Sequence, residues 1–327
     1  MAAFNAGRFI DACATGLASQ TFTDFEVVVV DDGSTDDTLD RLRTWAGRDG
    51  RVRVHAQPNG GGYHARLAGI AKARGAHVAF IDPDDRIEPT FLGDLHDAAV
   101  RTAADIVVAG YDRIDLETGR RISVEMTSWG EAVLAVEPTD ARLLSINTSL
   151  WNKLFRSTVL ADPWCLAHAP SLGDDMLIFL RALIASDRVA FVPTVEYHYA
   201  VRAGSIVQTF STDKIDSLGD SLVSAKQQLS SGRGTAFSEL IDAVAFLHLG
   251  LSASYRLIRN GQPGAGAVIR SSLRVLDAHF PAWRHTHLLS PNPRYRLMRV
   301  VARAGLLPLA LTALSLLLRL LRRDLSW

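Results

Sequence analysis

Apolar and polar positions alternate along the first half of the chain in a way that predicts strands followed by helices. Residues 25–30 form an almost continuous apolar run rich in valine, which is typical of a strand buried on both faces of a parallel sheet. Strands that alternate with helices at this spacing predict an open, mostly parallel sheet with helices on both faces. The predicted strands are residues 25–30, 52–55, 77–81 and 106–110, and the predicted helices are residues 8–19, 36–46, 62–72 and 89–101.

The pattern changes near residue 206, beyond which helices alone are predicted. They cover residues 213–230, 234–259 and 264–277, and a last helix follows Pro293. We therefore expect an α/β domain at residues 1–207 and a helical C-terminal region at residues 208–327 that ends in a basic, apolar tail.

The beginning of the chain is expected to be short of one strand. A helix from residue 8 leaves little room for a strand before it, although residues 1–5 resemble the end of a strand entering a loop. We expect either that the chain starts inside the first strand or that the sheet has lost it. Further on, Ser34 is a candidate N-cap for the helix at 36–46, where Asp36 and Asp37 would be favourable in the first turn.

Acidic clusters follow two of the predicted strands. Asp31 and Asp32 come after the first of them, and Asp82, Asp84 and Asp85 come after the strand at 77–81. Ligands of open α/β sheets bind at the carboxyl ends of the strands, so the two clusters are expected to meet. An Asp-x-Asp pair suits Mg²⁺ or Mn²⁺, whereas solvated turn carboxylates are the alternative. Packing several carboxylates together costs repulsion unless a cation or hydrogen-bond donors offset it.

A glycine-rich segment at residues 59–62, Asn followed by three Gly, precedes a predicted helix and could bring backbone N–H groups near a phosphate. The run matches neither the dinucleotide-binding nor the P-loop pattern, so a simple turn and helix start is the alternative. Arg66 lies one turn into that helix and could offer its planar guanidinium to a diphosphate.

Composition excludes several classes of protein. The 327 residues carry 35 basic and 35 acidic side chains, which gives no reason to expect nucleic-acid binding. Two cysteines rule out a disulfide framework or a cysteine-based zinc cluster and agree with a reducing, cytoplasmic location. The zero net charge is a cancellation, because residues 1–205 carry a net −8 and residues 206–327 a net +8.

The basic charge is densest at the C-terminal end. From residue 278 onward there are eight arginines and one acid, Asp324, beside an apolar run at residues 306–318. Such a segment is typical of peripheral attachment to the inner face of the cell membrane. The alternative is a helix that packs on the α/β domain or on a second copy of the chain in a homo-oligomer.

A series of motifs resembles family 2 glycosyltransferases of the GT-A fold, in particular those of bacterial surface-polysaccharide synthesis. The resemblance covers about residues 3–207, and although each motif is modest alone, their shared order is specific. The motifs are FNAGRFI at 4–10, SQTF at 19–22, VVVDDGSTD at 28–36, NGGGYHARLAGI at 59–70, FIDPDD at 80–85, WNKLF at 151–155, GDD at 173–175 and YHYAVRAGS at 197–205.

The resemblance implies an inverting, metal-dependent transfer of a sugar from a nucleotide-sugar donor, with UDP the family's commonest nucleotide. The acceptor would be a hydroxyl of a glycan or lipid-linked acceptor, and the cofactor Mg²⁺ or Mn²⁺. The resemblance assigns Asp175 as the general base and Asp84 and His198 to the metal. The donor-binding residues it implies are Asn5, Asp31, Asp32, Ser34, Arg66, Asp82 and Arg202, and the acceptor-side candidates are Trp151, Asn152, Lys153 and Asp174.

The chain departs from the family pattern at a few positions. Asp174 stands where glutamate is more usual, and Leu67 and Pro83 stand where asparagine and serine are common. None of these removes a group that the chemistry needs. Two other interpretations remain: a catalytically impaired GT-A scaffold, and a nucleotide-binding or phosphoacceptor-type binding module. The phosphoacceptor type needs a lysine late in the domain, and none occurs between Lys72 and Lys153.

Overall fold

The computed structural model describes residues 1–164, 166, 172–202, 211–229 and 232–320. The chain divides into two compact units. The first comprises Met1–Val136, Asn147–Ala169 and Gly173–Ala203, and the second comprises Glu137–Ile146, Pro170–Leu172 and Gly204–Trp327. The predicted boundary at 207, the end of the last motif at residues 203–205, and Arg322, Arg323 and Asp324 of the basic tail lie outside the described residues.

The first unit contains the strand–helix alternation predicted from the sequence. Between Asp115 and Asp174 the described chain is built of short strands, turns and single-turn 3₁₀ segments. The elements are β1 (Ala2–Ala3), α1 (Gly7–Ala18), β2 (Val27–Asp31), α2 (Thr38–Arg48), β3 (Val52–Ala56), α3 (Gly62–Lys72), β4 (His77–Ala79), β5 (Arg86–Ile87), α4 (Phe91–Thr102), β6 (Ile106–Asp115), β7 (Arg121–Glu125), β8 (Val133–Ala135), β9 (Lys153–Arg156), α5 (Asp174–Ala185) and β10 (Arg188–Val201).

The first strand is present, although it is only two residues long. Ala2 and Ala3 pair in parallel with Val30 and Asp31, which makes β1 an edge of a three-stranded parallel sheet in the order β1-β2-β3. The expectation that the sheet had lost this strand is therefore wrong. The amino group of Met1 continues the pairing by donating to the carbonyl oxygen of Val28 at 2.9 Å.

A second sheet has seven strands, five of them in the order β4-β9-β6-β10-β5, with β7 beside β6 and β8 beside β10. The pair β6–β10 is parallel, and the other pairs of this sheet are antiparallel. Helices α1, α2 and α4 cover the sheets with their apolar faces, as Ile10, Leu42 and Leu95 show by their complete burial. This burial of one helical stripe per helix accounts for the amphipathic spacing in the sequence.

Strand β10 carries several of the site residues predicted from the sequence. It pairs with β6 from Val189 to Val201, and its register shifts twice, between Val192 and Tyr197. Such irregularities re-aim the side chains that follow them and are frequent beside active sites. The following residues of β10, from Tyr197 onward, lie beside β5 and the acidic loop between β4 and β5.

The second unit is helical, as predicted. One helical stretch, Arg233–Arg259, is long and apolar enough to cross a membrane, but 67% of its most apolar window is buried inside the protein. It includes a π-helical turn at Phe246–Ser252. The helices are α6 (Thr212–Gln227), α7 (Ser238–Ala245), α8 (Ala253–Arg259), α9 (Ala265–His279), α10 (Pro293–Arg303) and α11 (Leu307–Leu320).

Candidate active site

The carboxyl end of β2 presents one acidic cluster, whose two carboxylates have different environments. Asp31 is 2% exposed, and its Oδ2 accepts a hydrogen bond from the backbone N–H of Ser34 at 3.3 Å. Its Oδ1 is buried without a hydrogen-bond partner in the protein. Buried acceptors are normally satisfied, so this oxygen stands out as an acceptor with no donor from the protein.

Asp32 organises the glycine loop instead of facing a ligand. Its Oδ1 accepts from Gln57 and from the N–H of Gly60, and its Oδ2 accepts from the N–H of Gly61, all at 2.8–2.9 Å. Two of the amides proposed for phosphate binding are thus already used. The structure corrects two predictions, that Asp32 binds the donor and that this loop binds phosphate. A carboxylate that already accepts three hydrogen bonds within the protein is committed to holding the loop.

Asn5 and Ser34 tie the loop after β1 to the loop after β2. Asn5 has a left-handed backbone, with φ of 48°, and its Oδ1 accepts from the N–H of Thr35 at 2.8 Å. The Ser34 hydroxyl accepts from the N–H of Asn5 at 3.0 Å. Ser34 is therefore not the N-cap of α2, which starts at Thr38 with Asp37 as its N-cap residue. These bonds shape the loop that holds Asp31.

The loop between β4 and β5 presents the second acidic cluster, which is anchored through Asp85. Asp85 is 5% exposed and accepts from the hydroxyl of Tyr197 and from the N–H of Ala200, both at 2.7 Å. The Tyr197 hydroxyl in turn accepts from the N–H of Asp82 at 3.2 Å. Burial and the neighbouring Asp82 and Asp84 raise the pKa of Asp85 well above its ordinary value. Asp85 and Tyr197 both lie in motifs predicted from the sequence, but the hydrogen bonds between them were not predicted.

Arg66 of α3 is the cation at the centre of the site. Its side chain is 14% exposed, and its two terminal nitrogens lie 2.5 Å from Asp174 and 3.2 Å from both Asp82 and Asp175. Burial opposes its charge, but Asp175, Asp174 and Asp82 outweigh burial and raise the pKa of Arg66. A Cβ at Gly62 would lie only 2.8 Å from both Arg66 and Asp174, so glycine leaves the room that this ion pair needs.

Asp174 and Asp175 form the first turn of α5, where the helix dipole favours negative charge. Burial nevertheless raises the pKa of Asp175 to about 7, with Arg66 opposing this effect and Asp174 and Asp82 adding to it. A carboxylate with a pKa near neutrality can accept a proton at physiological pH. The structure thus brings four sequence-predicted residues, Arg66, Asp82, Asp174 and Asp175, into one cluster.

Asp84 and Arg202 form an adjacent ion pair. The Nε of Arg202 lies 2.9 Å from Asp84 Oδ2, and the guanidinium sits 5.5 Å from the centre of the Phe9 ring. Asp84 lies close enough to Asp82 and Asp85 to contribute to the raised pKa of both groups. Asp82 and Asp84 could offer carboxylate oxygens to a divalent cation whose other ligands are phosphate oxygens. Among the described residues, no three His, Cys, Asp or Glu side chains could hold a metal by themselves.

His198, which the sequence suggested as a metal ligand, is engaged elsewhere. Its Nδ1 lies 2.8 Å from Asp112 Oδ1 and its Nε2 lies 2.8 Å from Glu88 Oε1. Both ring nitrogens therefore have carboxylate partners, so neither is available as a metal ligand, which corrects the prediction for His198. The residue instead links β10 to β6 and to the segment after β5.

The predicted acceptor-side residues Trp151, Asn152 and Lys153 are buried. Trp151 is 7% exposed and stacks on Tyr197 and Tyr199, while Asn152 and Lys153 have no exposed surface. Asn152 and Lys153 have no exposed surface and their polar atoms already have partners in the protein, so the prediction that these two contact an acceptor is wrong. For Trp151 it stays a prediction. Asp174, the fourth residue of the acceptor-side set, has its side chain 25% exposed and belongs to the Arg66 cluster.

The fold is the GT-A fold that the sequence predicts. Residues 1–160 match the family described as "Glycosyl transferase family 2". Residues 1–160 thus form a domain of this family, which agrees with the prediction of family and fold.

Two curated relatives and one solved structure illustrate the similarity. The chain is 29% identical over 233 residues to the putative glycosyltransferase EpsH of Bacillus subtilis (strain 168), covering 66% of this chain and 64% of EpsH. It is 32% identical over 229 residues to the succinoglycan biosynthesis protein ExoO of Rhizobium meliloti (strain 1021), covering 67% of this chain and 64% of ExoO. The chain thus spans somewhat less than two thirds of each relative.

The fold is similar to that of S. aureus TarS 1-349, solved in complex with UDP-GlcNAc. The TM-score is 0.69 at 19% sequence identity, and the match covers 99% of this chain and 91% of TarS 1-349. At this identity the similarity concerns the fold.

Proposed function

We propose that the first unit catalyses inverting, metal-dependent transfer of a sugar from a nucleotide-sugar donor, UDP-linked, to a hydroxyl of a glycan or lipid-linked acceptor. The pathway would be cell-surface polysaccharide synthesis, as the name of the relative ExoO suggests. The observation that carries the proposal is Arg66, which joins Asp82 of one motif to Asp174 and Asp175 of another in a single cluster.

Asp31 is the proposed binding residue for the nucleobase of the donor. Its unpaired Oδ1 is a buried acceptor that a base N–H would satisfy, and a uracil N–H has the required polarity. The bonds between Asn5, Ser34 and Thr35 hold the loop around it, so that little ordering is needed when a donor binds.

Asp175 is the proposed general base. It takes the proton of the acceptor hydroxyl as that oxygen forms a bond to the anomeric carbon of the donor sugar. The bond between this carbon and the diphosphate oxygen breaks, and the nucleoside diphosphate leaves with the electron pair. Attack opposite the leaving group inverts the anomeric centre. The pKa of about 7 matches Asp175 to this task near neutral pH.

The negative charge that builds up on the diphosphate needs compensation. Asp84 would hold Mg²⁺ or Mn²⁺, which supplies positive charge to the departing diphosphate when it is bound. Arg66 and Arg202 supply further positive charge from the protein, and Arg202 already contacts Asp84. Arginine suits this role because its planar fork of donors matches phosphate oxygens.

Thermal-shift measurements of donor binding and assays of sugar turnover test the proposal together. In a panel of UDP- and GDP-sugars with Mn²⁺, a bound donor should raise the melting temperature. Asp84→Ala should abolish the metal-dependent part of this shift, and Asp175→Asn should keep it but lower turnover by at least about 100-fold. Asp40→Ala, an exposed acid on α2, is the control.

Full turnover in either site variant would refute the assignments. Donor binding with Mn²⁺ but without transfer to any acceptor would favour the alternative of a catalytically impaired scaffold. Failure to bind any nucleotide sugar would leave neither interpretation standing.

We also propose that helices α10 and α11 attach the protein to the cytoplasmic face of an anionic membrane. Leu297 and Val300 of α10 and Leu309, Leu316 and Leu317 of α11 are more than half exposed. The exposed arginines Arg294, Arg296 and Arg303 lie on the same helix as the first two, and residues 278–320 contain no acid. Apolar side chains beside uncompensated arginines match anionic lipid. A second copy would bring like charges together, which disfavours it as the partner.

Sedimentation with vesicles tests this attachment. The protein should bind vesicles that contain phosphatidylglycerol, and binding should fall with salt and in the double variant Leu309→Asp and Leu316→Asp. Val124→Asp, at an exposed valine of β7, is the matched control. Equal binding of both variants, or a dimer by light scattering that the double variant dissociates, would overturn the membrane proposal.

A further inference from the structure

Arg202 directly follows strand β10 and contacts the acidic loop between β4 and β5. Its Nε donates to Asp84 Oδ2 at 2.9 Å, and the two side chains are 35% and 23% exposed. The guanidinium also lies 5.5 Å from the centre of the Phe9 ring in α1, a favourable distance for a cation–π contact. A carboxylate and a ring from two distant parts of the chain thus hold one guanidinium beside Asp84.

This ion pair engages an oxygen that a divalent cation would need. Asp84 is the carboxylate that we propose for Mg²⁺ or Mn²⁺, and its Oδ2 already accepts a charge-assisted hydrogen bond. A metal ion on the same carboxylate would lie close to the guanidinium, so the two positive charges would repel each other. The guanidinium of Arg202 and the metal ion are therefore expected to compete for Asp84.

Of the two partners in this ion pair, the arginine is the one that can move. The acidic loop is anchored next to Asp84, because Asp85 accepts from the hydroxyl of Tyr197 and from the N–H of Ala200. Arg202 has a long side chain that is 35% exposed, and such a side chain can change rotamer without disturbing the core. A diphosphate bound beside the metal would offer the released guanidinium oxygens that match its planar fork of donors.

We propose that Arg202 is a counter-charge of Asp84 that the metal ion must displace, and that a nucleotide diphosphate assists this exchange by binding the released guanidinium. The proposal rests on the proposed metal-binding role of Asp84. It makes the two ligands cooperative, because the first ligand to bind breaks the ion pair and the second then binds without that cost. By thermodynamic linkage, metal and diphosphate strengthen each other's binding by the same factor.

The test measures Mn²⁺ binding, without nucleotide and with UDP, from the electron paramagnetic resonance signal of the free ion. Arg202→Met removes the charge and should tighten Mn²⁺ binding without nucleotide by about 3- to 10-fold, as expected for a partly exposed ion pair. The factor by which UDP tightens Mn²⁺ binding should fall by a similar amount. Binding of Mn²⁺ to free UDP is the same for all variants, so it cancels in this comparison.

Arg8→Met is the matched control. It removes a guanidinium that lies 4.5 Å from the centre of the same Phe9 ring, and it should leave the Mn²⁺ affinity within about twofold of wild type. Arg202→Gln, which also removes the charge, replaces Arg202→Met with the same expected result if the methionine variant does not fold. If Mn²⁺ binding without nucleotide is too weak to measure, the UDP affinity by calorimetry with Mn²⁺ and with EDTA gives the same coupling factor.

Equal Mn²⁺ affinity and equal coupling in Arg202→Met and wild type would overturn the proposal. An equal tightening in Arg8→Met would overturn it as well, because the effect would then be one of general charge. If Asp84→Ala leaves Mn²⁺ binding unchanged, the proposed metal-binding role of Asp84 is wrong. Loss of Mn²⁺ binding in Asp84→Ala together with unchanged binding in Arg202→Met would count against the role of Arg202 alone.

Discussion

Replacing Arg66 by methionine should destabilise the protein in a strongly pH-dependent way. The guanidinium is 14% exposed and is the counter-charge of Asp82, Asp174 and Asp175, whose side chains are 23–25% exposed. Removing one partner of a largely buried ion pair costs about 3–5 kcal/mol, because the remaining charges lose their compensation. This cost applies only while the carboxylates are ionised.

The pKa of Asp175 determines the pH range over which this stability is lost. A folded-state pKa of about 7 against an ordinary 3.8 means that ionised Asp175 already costs about 4 kcal/mol of stability at neutral pH, since one pKa unit corresponds to about 1.4 kcal/mol. The folded state binds the proton more tightly, so stability falls as pH rises from 3.8 towards 7. Without Arg66 the pKa of Asp175 rises further, and the loss continues above pH 7.

Thermal unfolding at pH 5 and pH 8 measures the effect. The difference in melting temperature between wild type and Arg66→Met should be clearly larger at pH 8 than at pH 5, where Asp175 is protonated. Arg53→Met is the matched control, because Arg53 pairs with Glu26 at similar burial and helps to lower the pKa of that acid. Glu26 is ionised at both pH values, so the control penalty should be the same. Equal penalties for Arg66→Met at pH 5 and pH 8 would refute the assignment of this charge network.

Three further predictions follow from single contacts. Tyr197→Phe removes a donor to Asp85 and an acceptor for the N–H of Asp82, and should cost about 1–3 kcal/mol in denaturant unfolding; an unchanged midpoint would contradict this anchor. Asp31→Asn should weaken UDP binding by calorimetry about 10- to 100-fold while the melting temperature stays constant, and equal affinity would remove Asp31 from the base site. Gly33→Ala should cost at least about 1 kcal/mol, because φ is +74° and a Cβ would lie 2.7 Å from the backbone nitrogen of Asn59; wild-type stability would show that the turn relaxes freely.

Much of the first unit was predictable because its signals are local. The valine run of β2, the amphipathic spacing of α1 and α4 and the acidic residues at two strand ends are all properties of short segments. The strand β10 gave a weaker signal, because Pro193 and the register shifts interrupt its pattern and its alternation is visible only around Tyr197 and Tyr199.

The roles of polar residues were harder to predict than the elements. Asp31 and Asp32 are adjacent in the sequence, yet one keeps an unpaired oxygen and the other is saturated by three donors. His198 and Asp84 were both plausible metal ligands, but the ring of His198 lies between two carboxylates. In each case the deciding partner comes from a distant part of the chain.

The amino-acid sequence by itself determined the alternation of strands and helices, the family, and the set of carboxylates and arginines available for chemistry, because periodicity and residue type are local properties. Only the tertiary structure decided that Arg66 bridges Asp82, Asp174 and Asp175, that Asn152 and Lys153 lie in the core, and that Asp85 anchors its loop to Tyr197. Burial and charge compensation depend on which segments pack together. They set the pKa of Asp175 and the accessibility of every candidate, and neither can be read from spacing along the chain.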